Sequence, residues 1–438
     1  MKQRYLNSKI VFILSTLFFL DAEVLLPQID WIEYSSNPII QPTTGWESGV
    51  VLTPAVIKHG DTLKMWYTGT TSLFNPSSIG YAWSLDEITW TRYGGNPVMS
   101  GRSGEWDDQG IAMPVMISDG DTLRMWYGGG GLSPDEWDLG YAVSVNGINW
   151  ARFPNPVLQR GVAGEWNADV LTTGGVIKEK GIYKMWFTGG IGSVSPANQN
   201  TKTSIGYATS TDGLDWTIYD DPTTTTAPYE FSDPVIEHGE SGEWDSNETL
   251  SSSVIKTING YQLWYSGWIA GSSQNIGYAT SLNGIEWVKH TNNPVFNAPE
   301  TWTNLLVFPS VLLDNNEYRM WFQGWQGGTA SIGYATSSVT NVNEESYGYM
   351  IKDFILYQNY PNPFNPQTVI SYKIRARSNV VIKINDVLGK EISTLVNEEK
   401  NAGTYEVTFN GDELPSGIYY YKIIIGNFSD TKKMILLK

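Results

Sequence analysis

A tetrapeptide of the form Ile/Leu-Gly-Tyr-Ala recurs five times in this chain, with its glycines at Gly80, Gly140, Gly206, Gly277 and Gly333. A Trp-Tyr or Trp-Phe pair precedes each copy, at Trp66, Trp126, Trp186, Trp264 and Trp321. A third tryptophan stands two residues after an Ile or Leu, at Trp31, Trp90, Trp150, Trp216 and Trp287. The period is roughly 60–70 residues, longer than the ~40–50 of common propeller repeats, which leaves room for long loops. A unit of this kind cannot bury its apolar faces alone and must stack against its neighbours.

Each repeat holds four strand-like runs. In the second they cover residues 111–118, 122–128, 138–144 and 148–153. Asp-Gly or Asn-Gly pairs, such as Asn146-Gly147 and Asp212-Gly213, supply the positive φ angles that tight hairpins need. Runs such as Met125-Trp126-Tyr127 are apolar on both faces, as in a sheet covered on both sides. Five such four-stranded sheets predict an all-β fold, a five-bladed β-propeller over residues 29–340. The last repeat lacks its outer-strand tryptophan, but an unpaired copy, Ile29-Asp30-Trp31, stands at the front. The N-terminal strand is therefore expected to complete the last blade and cover its open edge.

Composition narrows the chemistry. The chain has no cysteine, so thiolate chemistry, disulfides and Cys-ligated metal sites are out. Its three histidines, His59, His238 and His290, read as surface residues, which leaves acid–base work mainly to carboxylates. A net charge of −17 repels phosphate backbones, so no nucleic-acid partner is expected. Lys2, Arg4 and Lys9 flank an apolar run at 10–20, which reads as a signal peptide over residues 1–22 and not as a membrane span in the mature protein.

Strand order assigns a working face. With strands a to d counted outward from the axis, the b–c and d–a connections share one face and are long, variable and polar. Function concentrates on variable loops held by a rigid scaffold. Trp137, Trp268 and Trp325 fall in b–c connections there; they either stack on a sugar ring or fill gaps between loops. Glu47, Asp107 and Asp245 each follow a repeated tryptophan and read as loop caps, while Glu47 and Asn304 also stand as candidate substrate contacts. Three acids break the repeat as they enter consecutive inner strands: Asp108, Asp169 and Glu248. They are the candidate catalytic set, the alternative being solvated rim carboxylates. No cofactor or metal is called for, although a structural calcium is compatible with an axial funnel.

These motifs, with Asn96-Pro97-Val98, Asn155-Pro156-Val157 and Asn293-Pro294-Val295 and the Gly-Glu-Trp strings, resemble the propellers of the glycoside hydrolase clan that holds families 43 and 32. The resemblance implies an aspartate base, a pKa-tuning aspartate and a glutamate acid, which Asp108, Asp169 and Glu248 match in type and blade order. The Trp-Met-Asn-Asp-Pro-Asn-Gly string of the invertase-like family is absent.

Residues 354–438 resemble a type IX secretion (Por) C-terminal sorting domain. The carriers are Tyr357-Gln-Asn-Tyr-Pro-Asn-Pro-Phe-Asn-Pro366, Asp386-Val-Leu-Gly-Lys390, Leu414-Pro-Ser-Gly-Ile-Tyr419 and the ending Lys432-Lys-Met-Ile-Leu-Leu-Lys438. Their short alternating runs predict a small Ig-like β-sandwich, joined by a linker at 341–353. The resemblance implies a partner in the secretion machinery and a secreted or cell-surface location. The reading of the whole is a carbohydrate-active propeller of glycoside hydrolase type; the alternative is a non-catalytic propeller that binds glycan or protein.

Overall fold

The computed structural model describes residues 29–438 apart from 73–74, 131–136, 193–200, 299–301, 339–353, 358, 375–376, 388, 402 and 426–427. The expected signal peptide and linker lie outside the described residues. The described residues form strands, turns and loops with no helix. The chain separates into two compact units, Met1–Thr340 and Asn341–Lys438.

The first unit is a series of antiparallel meanders. The first runs through Val50–His59, Thr62–Thr70, Ser78–Ser84 and Thr91–Arg92. The second runs through Ile111–Asp119, Thr122–Gly130, Trp137–Ser144 and Ala151–Arg152. In the third the inner strand is split into Val170–Thr172 and Val176–Glu179, followed by Ile182–Ile191, Lys202–Ser210 and Thr217–Ile218. The fourth has Glu248–Thr257, Gly260–Trp268, Asn275–Ser281 and Trp287–Lys289, and the fifth Leu306–Asp314, Glu317–Gln326 and Thr329–Ser338. Ile32–Glu33 completes the fifth sheet, with Ile32 opposite Thr336 and Glu33 opposite Ala335. The closure expected from the stray tryptophan is therefore present.

Apolar clusters sit between neighbouring sheets and run around the whole ring. Trp66 packs with Met116 and Leu123 of the next sheet, and Trp126 packs with Tyr183 and Met185. Trp186 packs with Tyr261 and Leu263, Trp264 with Tyr318 and Met320, and Trp321 with Met65 and Leu63. Each of these five second-strand tryptophans also meets an outer-strand tryptophan of the following sheet edge-on. The pairs are Trp66–Trp150, Trp126–Trp216, Trp186–Trp287, Trp264–Trp31 and Trp321–Trp90, at 5.9–6.4 Å.

The same tryptophans show how turns lock the ring. The indole N–H of Trp126 donates to the Gly213 carbonyl at 2.9 Å, and the outer Trp216 donates to that same oxygen at 3.1 Å. Trp66 with Trp150 share Gly147, Trp186 with Trp287 share Gly284, and Trp321 with Trp90 share Glu87. The fifth sheet takes its outer strand from the start of the chain, so no described turn joins its third and fourth strands. The indole N–H groups of Trp264 and Trp31 accordingly have no acceptor among the described residues.

The recurring glycine has a packing cause. A Cβ at Gly140 would sit 2.4 Å from the Tyr127 ring, and one at Gly80 would sit 2.7 Å from the Tyr67 ring. These rings are the second residues of the Trp-Tyr pairs and lie against the tryptophans of the Gly-Glu-Trp strings, as Trp106 does on Tyr127 at 6.1 Å. The glycine lets the stacked pair approach the backbone.

The C-terminal unit has one sheet of Phe354–Leu356, Gln367–Ile374 and Gly403–Asn410, and a second of Glu391–Lys400, Ser378–Asn385, Gly417–Ile425 and Phe428–Leu436. Ile370, Tyr372, Ile382, Tyr421, Ile423 and Met434 build its core. The motif after Tyr357 is a clamp on it. The buried Asn359 takes the Tyr421 hydroxyl through its backbone N–H and the Thr368 hydroxyl through its side-chain amide, while Asn362 Oδ1 accepts the Ile435 N–H.

Candidate functional site

The inner strands carry a shared irregularity that shapes the channel. Four of the five have a bulge, and the bulged residue lies in the left-handed region: Thr53 (φ 48°), Met113 (54°), Ser251 (52°) and Phe308 (55°). Such a conformation costs a non-glycine residue about 1–3 kcal/mol and persists only where its surroundings hold it. The holding group comes from the second strand of a neighbouring meander. Thr68 Oγ1 accepts the Met113 N–H at 3.0 Å, Thr188 Oγ1 accepts that of Ser251 at 2.8 Å, Ser266 Oγ that of Phe308 at 3.1 Å, and Gln323 Oε1 that of Thr53 at 3.3 Å. In the second meander the matching residue is Gly128, which has no side chain to offer. The third inner strand that it faces is the one that is split. These segments line an axial channel of about 360 Å³.

At the N-terminal ends of the inner strands, on the face carrying the long connections, Glu248 differs from the other candidates. It is 9% exposed. It pairs across its own sheet with Trp268 and, in parallel register, with Thr203 of the third meander. Gln274 Nε2 donates to its Oε2 at 2.8 Å. Burial pushes its carboxyl up to about 7, with the Gln274 hydrogen bond pulling the other way. The preceding residue, Asn247, lines a cleft of about 400 Å³ together with Lys202, His238 and Ile269.

Asp108 and Asp169 stand at the starts of the second and third inner strands and are engaged in their own loops. Asp108 Oδ1 accepts from Gln109 Nε2 at 2.8 Å, and its Oδ2 from the Gly104 N–H. Asp169 is exposed, and its Oδ2 accepts the Gly192 N–H at 2.8 Å.

Trp268, expected in a loop, is the last residue of the second strand of the fourth meander; it is half-buried with its indole N–H on the Ser272 carbonyl at 3.0 Å, which fixes the ring beside Glu248. Trp325, expected in a loop, lies within the second strand of the fifth meander, opposite Ala330. Trp137, also expected in a loop, is the first residue of a third strand and is 6% exposed. Its ring occupies the space where a Cβ on Gly128 would be, 2.9 Å away. Asn304 is exposed, with its N–H on the Trp325 carbonyl.

Glu47 belongs to a different construction. It is 1% exposed, paired with Arg92 at 2.7 Å and bonded by the Thr43 hydroxyl at 2.6 Å. Burial first, and then the Glu47 charge, raise the Tyr67 hydroxyl well above its ordinary value. The second meander repeats this with Asp107, Tyr127 and Arg152, and the fourth with Asp245, Tyr265 and Lys289. In the third and fifth the acid becomes Asn167 or Thr303, the tyrosine becomes Phe187 or Phe322, and the cation becomes Ile218 or Glu33. The acid, phenol and cation thus come and go together. This ties Glu47 to fold assembly, since a charge this deeply buried needs its partners.

The sequence reading missed Gln274 and the cleft lined by His238. It also placed all three histidines at the surface, whereas His290 is 8% exposed against Tyr278, with burial lowering its pKa. The Trp287-Val-Lys-His run, read as a strand with a histidine after it, gave no sign that the ring turns inward.

Several comparisons bear on these units. The family described as a secretion system C-terminal sorting domain matches residues 358–437. Uncharacterized proteins of two strains of Mycobacterium tuberculosis are each 28% identical over 195 residues, covering 42% of this chain and 60% of theirs. The chain therefore spans about 60% of the length of these curated relatives. Among solved structures, a Parabacteroides distasonis protein described as a candidate glycoside hydrolase aligns over 73% of this chain and 98% of its own, at TM-score 0.57 and 17% identity. The β-1,2-mannobiose phosphorylase of Listeria innocua aligns over 70% and 97%, at 0.54 and 13%. A thermostable family-43 glycoside hydrolase aligns over 66% and 92%, at 0.51 and 17%. At these identities the likeness is one of fold. The chain thus joins an all-β unit with the propeller fold of glycoside hydrolases to a secretion system C-terminal sorting domain, which marks it as secreted or attached to the cell surface.

Proposed function

We propose that this chain is an exported five-bladed propeller, over residues 29–340, that acts on a polysaccharide or oligosaccharide. An Ig-like sandwich at 354–438 serves as its tag. The working face is the one carrying the b–c and d–a connections, and Glu248 is the general acid. The observation that carries the reading is the burial of Glu248 at that face, which holds its carboxyl near 7, one residue after Asn247 in the wall of an open cleft. A carboxyl in that range is protonated often enough at neutral pH to give a proton to a leaving oxygen. Glu248 would protonate the glycosidic oxygen as the C–O bond breaks. A water on the opposite face of the sugar would attack the anomeric carbon and lose its proton to a carboxylate base. Asp108 is the candidate base and Asp169 the candidate orienting group. Trp268, beside the acid, is the favoured sugar platform among the three tryptophans, with Trp325 and Asn304 farther along the same rim.

A second reading, a non-catalytic glycan- or protein-binding propeller, draws support from the local engagement of Asp108 and Asp169 in their own loops. The test is incubation of the full chain with arabinans, xylans, fructans and mannans. New reducing ends that vanish in Glu248→Gln support the enzyme. Binding without product supports the second reading. Product that survives Glu248→Gln overturns the assignment of the acid.

A further inference from the structure

We propose that Gln274 is a positioning residue for Glu248: its amide holds Oε2 as an acceptor, so that Oε1 is the oxygen that carries the proton and gives it up. The inference rests on Glu248 being the acid, but its central test does not require turnover.

The geometry has three parts. First, Gln274 Nε2 donates to Oε2 of Glu248 at 2.8 Å, and an oxygen that accepts from an N–H is disfavoured as the site of the acid's own hydrogen. Second, Gln274 is anchored on its backbone. It bridges in parallel to Leu305, and its carbonyl accepts the Leu306 N–H at 2.9 Å, at the start of the fifth inner strand. The backbone that carries the amide is thus fixed by the start of the fifth meander. Third, Glu248 is itself held on both sides, opposite Trp268 in its own sheet and level with Thr203 of the third. Thr203 Oγ1 accepts the N–H of Thr249, the next residue along.

The charged groups around this point are otherwise committed. Lys202, adjacent to Thr203, donates to the Ser246 carbonyl. Asp245, three residues before Glu248, is held by Lys289 and the Tyr265 hydroxyl. The influences on the Glu248 carboxyl are its burial and the Gln274 amide. As the proton leaves Oε1 for the glycosidic oxygen and that C–O bond breaks, negative charge grows on the carboxylate. A hydrogen bond from a preset donor strengthens with that charge, so it acts more in the transition state than in the ground state.

Gln274→Met keeps the length of the side chain and removes the N–H. The measurement is the titration of Glu248 in the full chain, followed by the carboxyl signals of glutamate-labelled protein and assigned with Glu248→Gln. Loss of a donor to the charged form should raise the Glu248 midpoint by about one unit, with the melting curve retained. Gln274→Asn, which shortens the reach, should raise it as well. An unchanged midpoint in both variants overturns the proposal. So does a lowered one, which would mean that the amide accepts a hydrogen from the neutral acid. If turnover is found, the alkaline limb of its pH profile should move with the midpoint, and kcat should fall more than KM changes. If the midpoint shifts in a protein that turns over no glycan, the positioning of the carboxyl stands and the proposed hydrolysis fails.

Discussion

The backbone N–H of Ser251 is held by the hydroxyl of Thr188, a residue of the preceding meander, at 2.8 Å. Ser251 sits in the left-handed region three residues after Glu248, so the entrance of the fourth inner strand depends on a side chain of the third meander. Thr188→Val keeps the shape and removes the acceptor. It should cost about 1–3 kcal/mol, the penalty of a buried N–H left unpaired. Thr188→Ser should recover most of that. Urea unfolding monitored by tryptophan fluorescence measures both.

The shared turn carbonyls make a contrast between two equivalent tryptophans. Trp126 donates to Gly213, whereas Trp264 has no acceptor among the described residues. Replacement by phenylalanine removes similar ring area at the two positions. Trp126→Phe should nonetheless be the more destabilising by about 1–3 kcal/mol, since it loses a bond where Trp264→Phe removes an unpaired donor. Equal losses in denaturant midpoint would show that Trp264 is satisfied after all.

The buried acid, phenol and cation of the fourth meander should behave as a set. Lys289→Met leaves Asp245, 1% exposed, with only the Tyr265 hydroxyl for its charge-bearing Oδ2, and should cost about 3 kcal/mol or more. Adding Asp245→Asn and Tyr265→Phe, with Ile in place of Met at 289, reproduces the third meander's solution. The triple variant should be more stable than the single one, because a buried ion pair replaced whole is often neutral. Thermal unfolding of the three proteins compares them.

Glu248 gives the first unit a pH dependence of known sign. Its folded pKa lies at about 7, above the ordinary carboxyl value, so folding favours the protonated form. Its contribution is fully present below the unfolded pKa and is lost as pH rises through the folded one. Glu248→Gln removes that loss. The variant should gain stability over the parent between roughly pH 4.5 and 7, levelling off above, by about 3 kcal/mol at most. Melting temperatures across pH 4 to 9 check this. A gap that shrinks as pH rises would reverse the assignment.

How far the sequence could be read follows from what repeats and what does not. Five-fold patterns announce themselves because each copy must solve the same packing problem. The glycine under Tyr67 is needed again under Tyr127, and Trp31 could be assigned to a sheet some three hundred residues away by its absence there. Side-chain direction at loop ends has no such redundancy. Trp137 looked like a loop residue, yet the missing side chain at Gly128 draws it inward. Glu47 could be grouped with Asp107 and Asp245, but its cation, Arg92, is 45 residues on and visible only through strand pairing. Glu248 stood out because it breaks the pattern. Its burial and its partner Gln274 did not, because both depend on how two sheets meet.

The pairing of Ile32 with Thr336 also sets an order of events. The earliest strand of the propeller to leave the ribosome is the one that waits longest for its mate. Until Thr336 arrives, the growing chain keeps an unpaired edge at each end, and contacts this distant in sequence are slow to form. A chain interrupted anywhere before that point is left open and prone to pair with a stranger. For an exported protein this favours completion of the ring only after the whole propeller segment has been made.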